Sequence, residues 1–167
     1  DSLDIIVFQE VFTKRMENRL KRRLKKQYPY SVGPFNKPFS LRPSNGILIF
    51  SQLPIDSSYH IYYTDAVVAD KMANKGCIFI GGQKQGCSFW LGGTHLQSQE
   101  TEAAQAIREK QLAQINTHLV QHRQQGAAPL LLLGDMNIAP DWVQWYNAML
   151  QILSCQDPEH IDPSPYT

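Results

Sequence analysis

The chain has 167 residues, 43% of them hydrophobic, which suits one globular domain with an interior large enough to bury a mixed sheet. No apolar run approaches the roughly 20 residues needed to span a bilayer. The net charge of +1 conceals a basic cluster, because residues 13–27 hold eight of the sixteen Lys and Arg against Glu17 alone, leaving the remainder acidic.

In chain order, Leu3–Phe8 (LDIIVF) predicts a short strand buried on both faces, with Gln9 and Glu10 at its exit. Thr13 is a plausible N-cap for a helix to about Gln27, with Met16, Leu20 and Leu24 as a narrow apolar stripe, and Pro29 ends it. Residues 33–45 read as a loop rich in Gly and Pro, leading into a strand at Gly46–Ser51. Further strands are expected at Ser58–Tyr63, Cys77–Ile80 and Ser88–Gly92, the last two joined in a hairpin through GGQKQG. Ala104, Ile107, Leu112, Ile115 and Leu119 give a long amphipathic helix over about 101–123. LLLL at 130–133 predicts a second doubly buried strand, and Asp141 could cap a last helix running to about Leu153. Cys77, Cys87 and Cys155 show no CxxC or zinc-type spacing; Cys77 reads as a buried thiol, and Cys87 and Cys155 as paired or free.

Chemistry gathers where strands end. In LLLLGDMN a buried strand runs into Asp135 and Asn137, which on an extended chain project the same way. A carboxylate beside a carboxamide suits a water held near a hard cation such as Mg²⁺, although a polar turn before a helix has the same composition. Glu10 is a second carboxylate leaving a second buried strand. His95, in GGTHLQS after a third strand, is suited by its near-neutral side chain to give a hydrogen bond or a proton to a phosphoryl oxygen, although an isolated histidine is more often structural. A Ser-His hydrolase is disfavoured because no GxSxG appears.

These residues carry a resemblance. QEVF at 9–12, NGILIFSQLPI at 45–55, ADKMANKG at 69–76, GTHLQS at 93–98 and GDMN at 134–137 occur in the order seen in neutral sphingomyelinases. QE and GDMN alone resemble the wider endonuclease/exonuclease/phosphatase superfamily. The resemblance implies a four-layer α/β/β/α sandwich with two mixed sheets, and Mg²⁺-dependent hydrolysis of sphingomyelin to ceramide and phosphocholine. By position it makes Glu10 the metal ligand and Asp135 and Asn137 the pair orienting or activating water. His95 becomes the group at the phosphoryl oxygens, with Asp70, Asn74 and Lys75 a phosphate- and substrate-binding segment near the site, where Lys75 could neutralise a phosphate oxygen. Nuclease or phosphoinositide phosphatase activity in the same superfamily, or an inactive membrane-binding module, are the alternatives.

The family also carries an Asn on an earlier strand and an acidic-His pair near its C-terminus. Neither matches here, and His160 in PEHIDP lacks the preceding Asp and the strand context. A domain truncated at both ends, with little activity in residues 1–167 alone, is therefore expected. The resemblance further implies a phospholipid substrate at a membrane surface, a monomer and an extracellular location. The basic segment 14–26 reads either as a solvated helix face or as a contact for anionic membrane. Nucleic acid is the less favoured partner, since no aromatic residues interleave the charges.

Overall fold

A computed structural model describes residues 3–66, 73–124 and 128–157. Asp70 and His160 lie outside the described residues. The elements in order are β1 (Ile5–Phe8), α1 (Lys14–Leu24), β2 (Tyr30–Val32), β3 (Leu48–Ser51), β4 (Ile55–Tyr62), β5 (Gly76–Lys84), β6 (Cys87–His95), α2 (Glu102–Gln124), β7 (Leu130–Asp135) and α3 (Val143–Leu153).

Two sheets form. The first has the order β1-β3-β2 and is antiparallel; the second, β4-β5-β6-β7, is antiparallel except for the parallel β6–β7 pair. Strand alternation sorts their side chains into three apolar layers. Ile47, Ile49, Ile78, Ile80 and Leu91 meet between the sheets. Leu48 and Phe50 point the other way, to Leu20 and Leu24 of α1, whereas Cys77 and Phe79 point to Leu112 and Ile115 of α2 and Met149 and Leu153 of α3. Each fully buried Leu, Ile or Phe contributes about 1.5–3 kcal/mol, so the three layers hold helix, sheet, sheet and helices together in that order. This is the four-layer sandwich that the resemblance implied, except that only the second sheet is mixed and the first is antiparallel throughout.

The β5–β6 hairpin runs further than its apolar residues suggest and turns on Gln85 and Gly86 alone. Both have positive φ (53° and 80°), as a two-residue hairpin matched to strand twist requires. Cys77 is a buried thiol, as expected, and Cys87 and Cys155 are both free and exposed.

Four expectations are corrected. β7 is not doubly buried: it pairs with β6 only among the described residues, and Leu131 and Leu133 are 56% and 41% exposed. They lie where the first sheet has run out at its own edge strand, β1. Leu3 lies before β1 and is exposed, and β1 itself is half-buried along its length. Asp141 does not cap α3, whose N-cap position is Trp142 with no side-chain hydrogen bond. Finally, the stripe of α1 is displaced. Thr13 Oγ1 does accept from Met16 N at 3.2 Å, but Met16 is exposed and the buried residue is Glu17.

Glu17 is held by Lys14 and Lys21, each with Nζ 2.8 Å from a carboxylate oxygen. Burial pushes its carboxyl up, yet the two lysines' hydrogen bonds and charges outweigh that and leave it below the usual carboxylate range. A carboxylate depressed in the folded state stabilises above the unfolded range and loses that stabilisation as pH falls through the folded value. Glu17→Gln is accordingly expected to cost about 1 kcal/mol at pH 7, and the gap from wild type should close in acid. Urea unfolding at pH 7 and pH 3 checks this; an equal loss at both would show that the charge is not the cause.

Candidate active site at the sheet rim

The two sheets end at a common rim. At the far end, Lys84 Nζ meets Asp4 Oδ2 at 2.6 Å, joining the start of β1 to the end of β5. Towards the near end, β6 crosses the first sheet so closely that a Cβ on Gly93 would lie 3.0 Å from Val7 Cγ1 and 3.2 Å from Ile49 Cδ1. β1 and β6 therefore run the same way. Glu10, past the end of β1, and His95, the last residue of β6, emerge on one side of the sandwich, and β7 delivers Asp135 there too.

The parallel register places Asp135 beside His95. His95 Nε2 lies 3.8 Å from Asp135 Oδ2, with the imidazole 6% and the carboxylate 53% exposed, so the pair spans the boundary between interior and solvent. Asp135 and Asn137 do not project by strand alternation as the sequence suggests. The strand stops at Asp135, whose Oδ1 accepts from Asn137 N at 2.9 Å, while Asn137 takes a positive φ of 51°. A short acceptor side chain competes with the ladder for the backbone N–H two residues on, and here it wins. Asn137 is turned back instead, its Nδ2 donating to Leu96 O at 3.1 Å.

Leu96 O is a meeting point, since Lys75 Nζ also donates to it, at 2.6 Å. Lys75 is only 4% exposed, so its ammonium sits behind His95 rather than on the surface. Asn74, also buried, faces away from this cluster and donates to Ser40 Oγ and Pro43 O at 2.9 and 3.2 Å. Glu10 is exposed, at a φ of +61°, between Phe8 and Val11, whose N–H donates to Gly46 O at 2.8 Å. A bulky residue in this region costs of order 1–3 kcal/mol, and such strain gathers at functional sites. The structure thus brings His95, Asp135, Asn137 and Lys75 together, sets Glu10 on the same rim and leaves Asn74 to the neighbouring loop.

Three residues of α2 that sequence reasoning missed shape the segment after His95. Arg108, with no exposed surface, donates to Gln97 O and Gln99 O at 3.0 and 2.8 Å, and Gln105 Oε1 accepts from its Nε at 2.9 Å. Gln111 Oε1 accepts from Gln97 N at 2.8 Å. Burial lowers the Arg108 pKa, against the opposing charge of Glu100. The signal was present: these polar residues recur every third position beside the apolar stripe of α2. Beneath β6, the Tyr63 hydroxyl bonds to Thr94 Oγ1, which also donates to Gly76 O at 3.2 Å. Asp135 and Asn137, with Gln99, Glu100 and Trp142, line an open depression of about 530 Å³.

Comparison with known proteins identifies the fold and the family. The chain is 27% identical over 174 residues to sphingomyelinase C 2 of Leptospira interrogans, an alignment covering 95% of this chain and 28% of that protein. The crystal structure of SmcL superposes with a TM-score of 0.86 at 22% identity, covering 97% of this chain and 60% of that one. A beta toxin from Staphylococcus aureus solved with bound magnesium ions superposes with a TM-score of 0.83 at 22% identity, covering 94% and 59%. The chain spans less than two thirds of the length of each. The sequence profile described as the endonuclease/exonuclease/phosphatase family matches residues 1–147, and the chain belongs to that family.

Proposed function

We propose that the rim is the catalytic centre of a Mg²⁺-dependent phosphodiesterase that hydrolyses sphingomyelin to ceramide and phosphocholine. The observation that supports this most is the placement of Asp135 beside His95, with Glu10 on the same rim, in a chain that aligns over 95% of its length with a sphingomyelinase C.

The donors fit the ion in kind. Glu10 and Asp135 offer exposed carboxylate oxygens, and Mg²⁺ is commonly held by one or two carboxylates with water and phosphate completing its shell. Among the described residues no three His, Cys, Asp or Glu side chains gather to hold an ion by themselves, so the proposed holder is Glu10, with Asp135 close to the bound water. When bound, the ion would draw charge from a phosphoryl oxygen and make water a better nucleophile.

The chain's own residues supply the rest. Asp135, exposed and fixed through Oδ1 by the Asn137 backbone, is placed to orient a water and take its proton as the oxygen attacks phosphorus. Asn137 holds that turn against Leu96. His95 donates a hydrogen bond to a phosphoryl oxygen as the bond from phosphorus to the ceramide oxygen breaks, the leaving oxygen takes a proton from solvent water to become the ceramide hydroxyl, and the ammonium of Lys75 adds positive potential where negative charge develops. Asp70 and Asn74 are assigned to the same segment by resemblance alone; Asn74 acts through the loop it anchors.

The test takes the protein's full reading frame to vesicles containing sphingomyelin with Mg²⁺ or a chelator, run beside a supercoiled plasmid. Metal-dependent release of phosphocholine is expected. Plasmid nicking without it would make the site a nuclease, and vesicle binding with neither would make the chain a membrane-binding module.

The cations at the end of α1 offer a separate electrostatic contact with anionic lipid, away from the rim. Neutralising Arg22, Arg23, Lys25 and Lys26 is expected to weaken binding to anionic vesicles and flatten its salt dependence, each cation near the surface contributing about 1 kcal/mol. Sedimentation with vesicles at two salt concentrations measures this, and unchanged binding would leave α1 a solvated face.

A further inference from the structure

We infer that the loop from Lys37 to Arg42 is a membrane-docking tip that seats the catalytic rim on a phospholipid surface. Phe39 and Leu41 are 104% and 103% exposed, the most open large apolar side chains among the described residues. Isolated exposed apolar residues are ordinary, but two fully open ones, a single residue apart at a loop's apex, call for a partner.

The loop is held in this shape. Asn74 Nδ2 donates to Asn36 Oδ1, to Ser40 Oγ and to Pro43 O. Asn36 Nδ2 donates to Arg42 O at 2.9 Å, closing the base, and Ser40 N donates to Lys37 O at 3.1 Å. Phe39 has a φ of +56°, a region that bulky residues avoid, yet its ring gains no burial in return. Intramolecular packing does not explain why the chain keeps an aromatic ring there.

Chemistry selects the partner. The apolar pair is flanked by Lys37 and Arg42, and Lys37 Nζ lies 5.3 Å from the centre of the Tyr62 ring. A convex tip with an aromatic and an aliphatic side chain leading, and cations set just behind, matches a bilayer interface: acyl chains below, lipid phosphates above. Its position also fits. Asn74, which ties the loop, precedes Lys75, whose Nζ bonds the residue after His95. The strongly basic end of α1 lies at the opposite end of the sandwich, where the Tyr28 hydroxyl donates to Leu3 O at 2.9 Å. Docking through the loop therefore faces the rim to the lipid, and docking through Arg22–Lys26 would not. The lipid as substrate rests on the function proposed above; the docking itself does not.

The experiment replaces Phe39 with tryptophan and adds vesicles of phosphatidylcholine and sphingomyelin carrying brominated acyl chains. Emission from the introduced tryptophan should shift to the blue and be quenched, beyond any change in the wild type with its native tryptophans. A Phe39→Ser/Leu41→Ser variant, altered only at exposed positions, should partition to vesicles at least about tenfold less. It should lose turnover on vesicles in proportion, and keep turnover of a water-soluble phosphodiester within about twofold. Solvent-like emission with vesicles present, or unchanged partitioning of the double variant, would overturn the inference. So would blue emission before vesicles are added, because the tip would then be covered by protein. Quenching without any lipid hydrolysis would retain the docking tip and remove the catalytic reading, whereas hydrolysis without quenching would do the reverse.

Discussion

Replacing Glu10 with glycine is expected to make the chain more stable and to remove its catalytic activity together. Glu10 sits exposed at a φ of +61°, where an L side chain costs about 1–2 kcal/mol. Glycine adopts that conformation freely, and its greater freedom in the unfolded chain offsets about 0.5–1 kcal/mol of the gain. A net stabilisation of up to about 1 kcal/mol should appear in thermal unfolding. The same change deletes the proposed metal ligand. Even groups that only support a ligand alter metal affinity or activity by 10- to 100-fold, so loss of the ligand should reduce phosphocholine release by more than about 10²-fold. Glu10→Gln provides the contrast, keeping the strained backbone and losing the charge: activity should fall without stabilisation. If Glu10→Gly remained active, the rim would have to bind its cation elsewhere.

Most of the architecture was legible because it rests on local pattern. The apolar runs of β1, β3 and β5 each identify a strand, and the stripe Ala104–Leu112–Ile115–Leu119 identifies a helix and the face it buries. What stayed hidden depends on neighbours. Four leucines in a row read as a strand covered on both faces, but whether Leu131 and Leu133 are covered depends on how far the other sheet extends, and no local window contains that. Glu17 and Met16 exchange burial because two lysines at i−3 and i+4 neutralise a carboxylate, whereas the apolar stripe alone favours the methionine.

The candidate site divides in the same way. Its residue types were legible from the positions of Glu10, His95 and Asp135 at strand exits, and the structure sets all three on one rim. Its construction was not. The Asp135–Asn137 turn, the convergence of Lys75 and Asn137 on Leu96 O, and the grip of Arg108 on the Gln97 and Gln99 carbonyls all use main-chain atoms as partners. Main-chain acceptors have no sequence signature. The one visible hint was on the donor side, in polar residues that interrupt a buried helix face.

Gly134→Ala should be the most damaging single-methyl change in the rim. Gly134 has a φ of +147°, and a Cβ there would lie 2.0 Å from Thr94 O and 2.8 Å from Thr94 C. Both contacts are backbone, so no side chain can swing aside; β7 must move off β6 or the residue must change conformation. Thr94 is the register partner of Gly134, and the next pair along is His95 with Asp135. A shift that relieves the clash therefore separates the two groups proposed to act on the phosphoryl centre. Strain at a conformation closed to alanine, added to disruption of the parallel pair, is expected to cost at least about 3 kcal/mol. For a domain of this size that is a fall of roughly 6–12 °C in melting temperature. Thermal unfolding measures the loss. In the population that stays folded, turnover per folded molecule should drop by about 10²-fold or more if a misplacement near 1 Å follows. A variant that melts within about 2 °C of wild type would show that β6 and β7 absorb the methyl without moving, and that Gly134 is not what fixes Asp135 against His95.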